Sequence, residues 1–232
     1  MYGWRRKRFR SLLATLLVFW KSDVDCPQID QAVILTIPYN PNLPGGYEKL
    51  TNALLRNGKH PNHTLLVLAK QEHEDPAFDF AMKIREQFGR YVAVQIPRTN
   101  LTGSVIAESN TVFLTALEAL RTYEPGDHEM PDPAMLYFDP TWRPTKTRWL
   151  DEFNTEFYLA GTPTTYGFSQ DGKILGPVVL KRDFLKKSKL LEFLPSSGTH
   201  WREFLAWEIL NNGLQADAIG RVLPAYIRPF DT

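Results

Sequence analysis

AVILTI, residues 32–37, is continuously apolar, rich in β-branched side chains and followed by Pro38. An apolar run of this length that ends at a proline is typical of a strand buried on both faces, as in a parallel sheet. Beyond it, apolar residues recur at helical spacing over residues 47–54, and Gly58 ends that pattern. These segments predict the first strand and the first helix of an α/β fold.

The same alternation continues to residue 138. Further apolar runs are TLLVLA (64–69), YVAVQI (91–96) and AMLYF (134–138). The positions expected on the buried faces of the intervening helices are Phe78, Met82, Arg85 and Phe88, and then Ile106, Phe113, Ala116, Leu117 and Leu120. Strand–helix–strand repeats at this spacing predict an α/β, Rossmann-like fold with a mostly parallel central sheet and helices on both faces.

Polar residues follow each predicted strand at its carboxyl end. They are PYN (38–40), KQEHED (70–75), PRT (97–99) and DPTW (139–142). Parallel sheets of this class bind ligands in the crevice at the carboxyl ends of their strands. This edge of the sheet is therefore the candidate functional site.

The fourth strand ends on a single carboxylate, Asp139, and the prolines Pro140 and Pro144 stiffen the residues after it. One interpretation is a charge held in place for a ligand at the sheet edge. The alternative is a turn cap, because Asp-Pro commonly opens turns.

Composition sets limits on the function. The 232 residues, 43% of them apolar, suffice for one compact domain, and the net charge of +1 gives the whole chain no bias toward nucleic acid or membrane. The single cysteine, Cys26, excludes an internal disulfide and agrees with a cytoplasmic location. The sequence contains no phosphate-loop motif, no dinucleotide-binding glycine motif and no nucleophile elbow.

The N-terminal segment combines five Lys/Arg residues at positions 5–10 with an apolar run at 12–20. No signal-peptide cleavage site follows, and nine apolar residues are too few to span a bilayer. A short helix packed on the core is the first expectation, and a basic arm that contacts phosphates is the alternative.

After residue 150 the pattern changes to short strands with glycines, in FYLAG (157–161), TTYGF (164–168) and KILGPVVL (173–180). An amphipathic helix follows over residues 199–213, with Thr199 as its N-cap and Gly213 as its end. We expect one domain over residues 1–232, with a first half at about 30–150 and a second half at 151–232.

In the order and spacing of its elements the chain resembles glycosyltransferases of the GT-A type, over about residues 30 to 212. The stretches that carry the resemblance are ILTIPYN, LLVLAKQEHED, GSVIAESNTVFLTAL, AMLYFDPTWRPTKTRWLDEF and GTPTTYGF. The fourth of them is similar to one bacterial and phage branch. The family ends its fourth strand in an Asp-x-Asp motif or a reduced form of it, whereas this chain has Asp139-Pro-Thr without a second aspartate.

The resemblance implies a nucleotide-sugar donor, such as a UDP-sugar, and a divalent cation, Mn²⁺ or Mg²⁺. The donor-binding residues that it implies are Pro38, Tyr39, Asn40, Glu72, Asp75, Arg98 and Asn110. The implied metal ligands are Asp139 and His200, since one carboxylate with several water molecules can still hold such an ion. An ordinary position beside a helix cap is the alternative for His200.

Inverting transfer to a hydroxyl needs a general base, and a carboxylate can take the proton. The candidates are Asp151, Glu152, Glu203 and Glu208, of which the last two lie on different faces of one helix. Trp201 and Trp207 are expected either to line a sugar-binding wall or to lie in the core.

DNA carrying a hydroxymethylated pyrimidine is the first expected acceptor, and a glycan or protein hydroxyl is the second. The basic stretches 5–10 and 181–189 would then contact phosphates. A nucleotidyltransferase is a rival, although the loop after the first strand offers it only Gly45, Gly46 and Lys49. A non-catalytic nucleotide-sugar-binding module is the other rival.

Overall fold

The computed structural model describes residues 33–43, 45–96, 104–123, 133–160, 164–170, 173–211 and 226–230. The N-terminal basic and apolar runs, Cys26, Arg98 and Gly213 lie outside these residues. Within the described ranges no helix has the length and apolar character needed to cross a membrane.

Strands and helices alternate along the described chain. The strands are β1 (Val33–Pro38), β2 (His60–Lys70), β3 (Phe88–Ile96), β4 (Ala134–Tyr137), β5 (Trp142–Pro144), β6 (Thr164–Gln170), β7 (Lys173–Lys181) and β8 (Ile227–Pro229). The helices are α1 (Gly46–Arg56), α2 (Glu74–Ile84), α3 (Val105–Thr122), α4 (Trp149–Ala160), α5 (Arg182–Lys187), α6 (Leu190–Phe193) and α7 (Trp201–Asn211).

Six strands form the central sheet, in the order β3-β2-β1-β4-β7-β6. The first four are parallel, whereas β7 runs antiparallel to β4 and β6 antiparallel to β7. The predicted α/β fold with a mostly parallel sheet is therefore confirmed. The chain builds from β1 outward to β3 and then places β4 on the other side of β1, which creates a topological switch point between β1 and β4.

Strand β1 is buried on both faces, as its apolar run predicts. Val33, Leu35 and Ile37 belong to a core cluster that includes residues of α1, α2 and α4. Ile34 belongs to a second cluster, which includes residues of α3, α5 and α7. Helices therefore cover the sheet on both faces, and the strand ends are left to form the edges where polar groups collect.

The predicted buried faces of two helices are partly wrong. The residues of α2 on the core are Ala77, Phe80, Ala81 and Ile84. Phe78 and Met82, which were expected there, are 48% and 39% exposed, and Ile106 at the start of α3 is 40% exposed. Apolar residues lie on both sides of α2, and α1 decides between them, because the Phe80 ring packs 4.5 Å from that of Tyr47.

Two element assignments also change. Residues 157–160 of FYLAG, predicted as a strand, form the end of helix α4 instead. Trp149, Leu150 and Phe153, just before them, are buried at helical spacing. Phe88, assigned to a helix, is the first residue of β3. TTYGF and KILGPVVL do form strands, β6 and β7, and residues 201–211 of the predicted last helix are helical.

A second sheet of two strands holds the residues after Asp139. Strand β5 pairs antiparallel with β8. Beyond that ladder, Phe230 N donates to Thr141 O at 3.0 Å and Thr145 N donates to Tyr226 O at 2.8 Å. The segment that begins at Asp139 is therefore fixed by a strand from the far end of the chain.

Candidate functional site at the carboxyl edge of the sheet

The switch point is bordered by the residues that follow β1 and β4. Tyr39 N donates to Leu68 O at 2.7 Å, and Phe138 N donates to Thr36 O at 2.8 Å, so both segments continue the sheet one residue past their strands. The following residues, Asn40 and Asp139, come to the same edge of neighbouring strands.

Asp139 has a fixed orientation. Its Oδ1 accepts hydrogen bonds from the Thr141 amide at 3.0 Å and from the Thr141 hydroxyl at 2.6 Å. Its Oδ2 accepts one from Arg202 Nη2 at 3.1 Å, and its side chain is 22% exposed. The carboxylate therefore caps its own turn and also presents a charge at the sheet edge, so the two interpretations of the Asp-Pro sequence are compatible.

Arg202, near the start of α7, carries the opposite charge. Its Nη1 donates to Gly176 O at 2.8 Å and to Ile174 O at 3.2 Å, both on β7. The guanidinium carbon lies 4.4 Å from the centre of the Trp201 ring, a cation–π contact. Burial lowers the pKa of Arg202 and the Asp139 carboxylate opposes this, but an arginine side chain stays protonated in proteins.

His200 caps helix α7. Its Nδ1 accepts the Arg202 amide at 3.2 Å, and its Nε2 lies 3.1 Å from Ser109 Oγ. Because Nδ1 accepts, the neutral ring carries its proton on Nε2, which donates to Ser109. The N-cap predicted at Thr199 is thus wrong by one residue.

Asn110 joins α3 to the same helix end. Its Nδ2 donates to Thr199 O at 2.9 Å, and its Oδ1 accepts the Trp201 amide at 2.7 Å. The side chain is 5% exposed. In this arrangement Asn110 positions the start of α7, and through it Arg202, rather than presenting its amide to the edge.

The two tryptophans of α7 differ in environment. Trp201 is 2% exposed and stacks on Phe113 with ring centroids 4.0 Å apart, while its Nε1 donates to Ser109 Oγ at 3.1 Å. Trp207 is 56% exposed. The core interpretation therefore holds for Trp201, and its burial anchors the helix that carries Arg202.

An aromatic pair lies beside the charges, after β1. The Tyr39 and Tyr47 rings stack with centroids 4.6 Å apart and planes 12° apart. The Tyr47 hydroxyl accepts the Asn40 amide at 2.8 Å and donates to Pro38 O at 3.3 Å. Burial raises the pKa of Tyr47, and the negative charge of Asp139 adds to that effect, so the Tyr47 hydroxyl lies within electrostatic reach of Asp139.

Charged residues also follow β2. Lys70 forms an ion pair with Glu108 in the first turn of α3, and its Nζ lies 3.8 Å from Glu72 Oε1. His73 Nε2 lies 3.5 Å from the same Glu72 oxygen. Asp75 is exposed at the start of α2. The predicted donor-binding residues, except Arg98, which is not described, therefore belong to segments at or beside this edge. The Asn110 side chain, however, is hydrogen-bonded to the start of α7.

The candidate general bases lie in different places. Asp151 lies at the opposite, amino edge of the sheet, where its carboxylate is 2.9 Å from His63 Nε2 and 3.4 Å from His60 Nδ1 near the start of β2. Glu208 is 3% exposed and accepts the Lys189 amide at 3.0 Å. Glu203 is next to Arg202, in the first turn of α7. Of these three residues, Glu203 is the one that lies in the same turn of α7 as Arg202.

The side-chain atoms that Asp139 and His200 would offer as ligands do not fit a divalent cation in this arrangement. Asp139 Oδ1 already accepts two hydrogen bonds, Oδ2 has the Arg202 cation as its partner, and both His200 ring nitrogens are engaged. Like charges 4 Å apart repel by about 4 kcal/mol near a protein surface. Across the described ranges, no three His, Cys, Asp or Glu side chains are grouped so that they could hold a metal ion. The metal-ligand roles of Asp139 and His200 stay predictions.

Three residues of the site were not anticipated from the sequence: Arg202, Ser109 and Glu108 all contribute polar contacts here. Lys70 and Thr141 also contribute, and both lie in the polar stretches that were predicted to form the site. One signal was available, because a carboxylate that ends a buried strand needs a counter-charge, and THWR (199–202) places an arginine one residue after a buried tryptophan. Which arginine meets Asp139 depends on the docking of α7, which residue spacing alone does not give.

No family model matches the chain, and a search of curated proteins finds no match. Solved structures of similar architecture include mouse xyloside xylosyltransferase 1 in its apo form, at 11% identity and a TM-score of 0.47, over 78% of this chain and 81% of that one. A mannosyltransferase from Pyrobaculum calidifontis, in complex with GDP-Man and Mn²⁺, matches at 13% identity and a TM-score of 0.46, over 77% of this chain and 55% of that one.

A synthase is among the similar structures as well. The 4-diphosphocytidyl-2C-methyl-D-erythritol synthase from Anaerococcus prevotii matches at 14% identity and a TM-score of 0.45, over 80% of this chain and 86% of that one. These likenesses are of general architecture, and the function proposed below depends on the residues of this chain.

Proposed function

We propose that the protein is a glycosyltransferase that binds a nucleoside-diphosphate sugar at the carboxyl edge of its sheet and transfers the sugar to a hydroxyl acceptor. The observation that carries the proposal is the position of the Asp139–Arg202 pair, at the topological switch point, next to the stacked Tyr39 and Tyr47. Open α/β sheets bind ligands at that point.

The chemistry of these groups suits the parts of such a donor. A guanidinium binds phosphate oxygens through paired N–H donors. The half-buried Tyr39 ring, supported from one side by Tyr47, provides a flat surface for a base, and base–aromatic stacking contributes about 1–3 kcal/mol. The polar loops after β1 and β2 would border the base and ribose.

In the reaction the acceptor oxygen forms a bond to the anomeric carbon while the bond from that carbon to the diphosphate oxygen breaks. The nucleoside diphosphate leaves, and a base takes the hydroxyl proton. Glu203 is the proposed base, because it lies in the same turn of α7 as Arg202. Glu203→Gln should lower the rate of transfer and leave donor affinity unchanged within about twofold.

Donor binding is the first test. Calorimetric titration with UDP, GDP and CDP and their sugars should find one preferred nucleotide, and Tyr39→Ala should weaken its binding about 10- to 100-fold, as expected for a lost stacking surface. Asp79→Ala, on an exposed position of α2, is the control and should bind as the parent does.

The products separate this function from its rivals. A glycosyltransferase releases a nucleoside diphosphate from the sugar donor, whereas a nucleotidyltransferase consumes a nucleoside triphosphate and releases pyrophosphate. A binding module would bind the nucleotide-sugar and release neither product. Pyrophosphate release from a triphosphate, or binding without any turnover, would replace the present proposal.

DNA as the acceptor stays a prediction. Strand β7 pairs Lys181 with Ala134 at the amino end of β4, so the basic stretch 181–189 starts at the edge opposite Asp139. Within that stretch, Arg182 donates to Leu120 O and to Tyr123 O, and is used inside the fold. Transfer of labelled sugar to hydroxymethylated DNA should fall steeply with salt if phosphates are contacted; transfer only to simple hydroxyl acceptors would exclude DNA.

A further inference from the structure

The positive charge at the carboxyl edge of the sheet belongs to a side chain of the protein, Arg202. Arg202 is held from three elements: the turn after β4 through Asp139, strand β7 through the carbonyls of Ile174 and Gly176, and α7 through the Trp201 ring. Its side chain is only 20% exposed. The guanidinium is therefore fixed before any ligand arrives, so that little side-chain entropy is lost when an anion binds.

The described contacts do not exhaust the donors of this side chain. A guanidinium has five N–H groups, and three hydrogen bonds are accounted for by Ile174, Gly176 and Asp139. Two N–H groups have no partner among the described residues, and part of the side chain is exposed. A phosphate can bridge two such donors without displacing Asp139.

The charge balance at Asp139 argues against a second cation there. One carboxylate, Asp139, faces one guanidinium at 3.1 Å, and their charges cancel. Lys70, the cation at the end of β2, faces Glu108 and Glu72. A divalent ion at Asp139 would be attracted only weakly, because Arg202 already compensates the negative charge of the carboxylate.

We propose, on the basis of the function proposed above, that Arg202 replaces the divalent cation of this site and that the nucleoside-diphosphate sugar binds without a metal ion. Asp139 is then a positioning residue: it orients the guanidinium, and the guanidinium contacts the diphosphate. This assignment departs from the metal site that the Asp139 motif predicts by resemblance.

The test compares donor binding with and without metal. The parent protein is titrated calorimetrically with UDP, GDP and CDP and their sugars, once in EDTA and once in Mn²⁺. The dissociation constant of the preferred nucleotide should agree within about twofold between the two conditions. Binding that is lost in EDTA and restored by Mn²⁺ would overturn the inference and leave Arg202 as a structural partner of Asp139.

Variants of the arginine complete the test. In EDTA, Arg202→Gln should weaken donor binding about 10- to 100-fold, which corresponds to a lost hydrogen bond to a charged group, and Arg202→Lys should recover part of it. Arg121→Gln, on an exposed position of α3, should bind as the parent does, and circular dichroism checks the fold of each variant. Unchanged affinity in a folded Arg202→Gln variant contradicts the inference.

The outcomes separate the two proposals. If the parent binds no nucleotide or nucleotide-sugar in either condition, the proposed function fails, and this inference with it. If binding occurs only with Mn²⁺, the proposed function stands and the inference alone fails. Metal-independent binding that Arg202→Gln abolishes supports both.

Discussion

Gly176 connects the backbone of β7 to the charge at the sheet edge. Its φ of +72° lies in the left-handed region, and a Cβ there would come within 2.4 Å of the Trp142 ring. Its carbonyl accepts Arg202 at 2.8 Å. The absence of a side chain thus lets Trp142 pack directly on the strand that orients the guanidinium.

Gly176→Ala should lower the free energy of unfolding by about 2–4 kcal/mol, because overpacking and a left-handed alanine each add a cost. Chemical denaturation measures it. Variants of two other glycines separate the cost of overpacking from the cost of the left-handed backbone conformation. Gly46→Ala, at φ +70° with open space around it, should lose only about 1–2 kcal/mol, and Gly198→Ala, also in open space, should stay within about 0.5 kcal/mol. Equal losses at Gly176 and Gly46 would contradict the packing role of Trp142.

His63, at the amino edge of the sheet, is a second residue whose role can be measured, because its protonation should affect stability. Its Nδ1 accepts the Val33 amide at 3.1 Å, and its Nε2 faces Asp151. Burial lowers the pKa of His63, although Asp151 opposes this. Burial also raises the pKa of Asp151, but the hydrogen bonds with His60 and His63 outweigh it and hold that pKa below its ordinary value.

The free energy of unfolding should fall as the pH drops from 7 to 5. In this range the unfolded His63 takes up a proton near its ordinary pKa of about 6.5, whereas the folded state resists protonation until a lower pH, so acid favours unfolding. Urea unfolding of His63→Gln should show a smaller fall than the parent. Asn62→Gln, an exposed neighbour without a titrating group, should keep the parent slope, and an unchanged slope in His63→Gln would contradict the assignment.

At the scale of elements, the start of α7 depends on α3. The Asn110 side chain bridges Thr199 O and the Trp201 amide. Asn110→Ala should cost about 2 kcal/mol of stability, because buried hydrogen-bonding groups lose their partner, and should also weaken donor binding through Arg202. Asn52→Ala, exposed on α1, is the control for denaturation and titration. Full donor affinity in Asn110→Ala would show that α7 keeps its position without this contact.

The four parallel strands were predictable, whereas the buried face of α2 was not, for a physical reason. A strand buried on both faces requires a nearly continuous apolar run such as residues 32–37, and its short length, its β-branched residues and the proline that follows distinguish it from a buried helix. In α2, apolar Phe78 and Phe80 point to different sides, and only the docked α1 selects Phe80. Likewise, Asp139 was predictable as a charge at the edge, but Arg202 comes from a distant helix.

At the scale of the whole molecule, strand β8 holds the turn that bears Asp139 in place through its pairing with β5. Ile227 is fully buried, and Ile227→Ala should cost about 2–5 kcal/mol. Hydrogen exchange of the Thr145 amide, which donates to Tyr226 O, should accelerate more than exchange in β2. Arg228→Ala, an exposed neighbour on the same strand, should leave both quantities unchanged. Uniform acceleration across the sheet would mean that β8 acts on overall stability alone.

The Asp139–Arg202 contact spans 63 residues, which has a consequence for biosynthesis. A nascent chain that has folded β1 to β4 already holds Asp139, but it lacks its counter-charge until α7 is made. A donor that binds the Arg202 guanidinium, as Asp139 orients it, would recognise only chains long enough to include α7. By mass action it would stabilise the folded state of those chains by about 2.7 kcal/mol at a hundred times its dissociation constant. The donor would thus protect chains that include α7 from proteases and leave shorter nascent chains exposed to them.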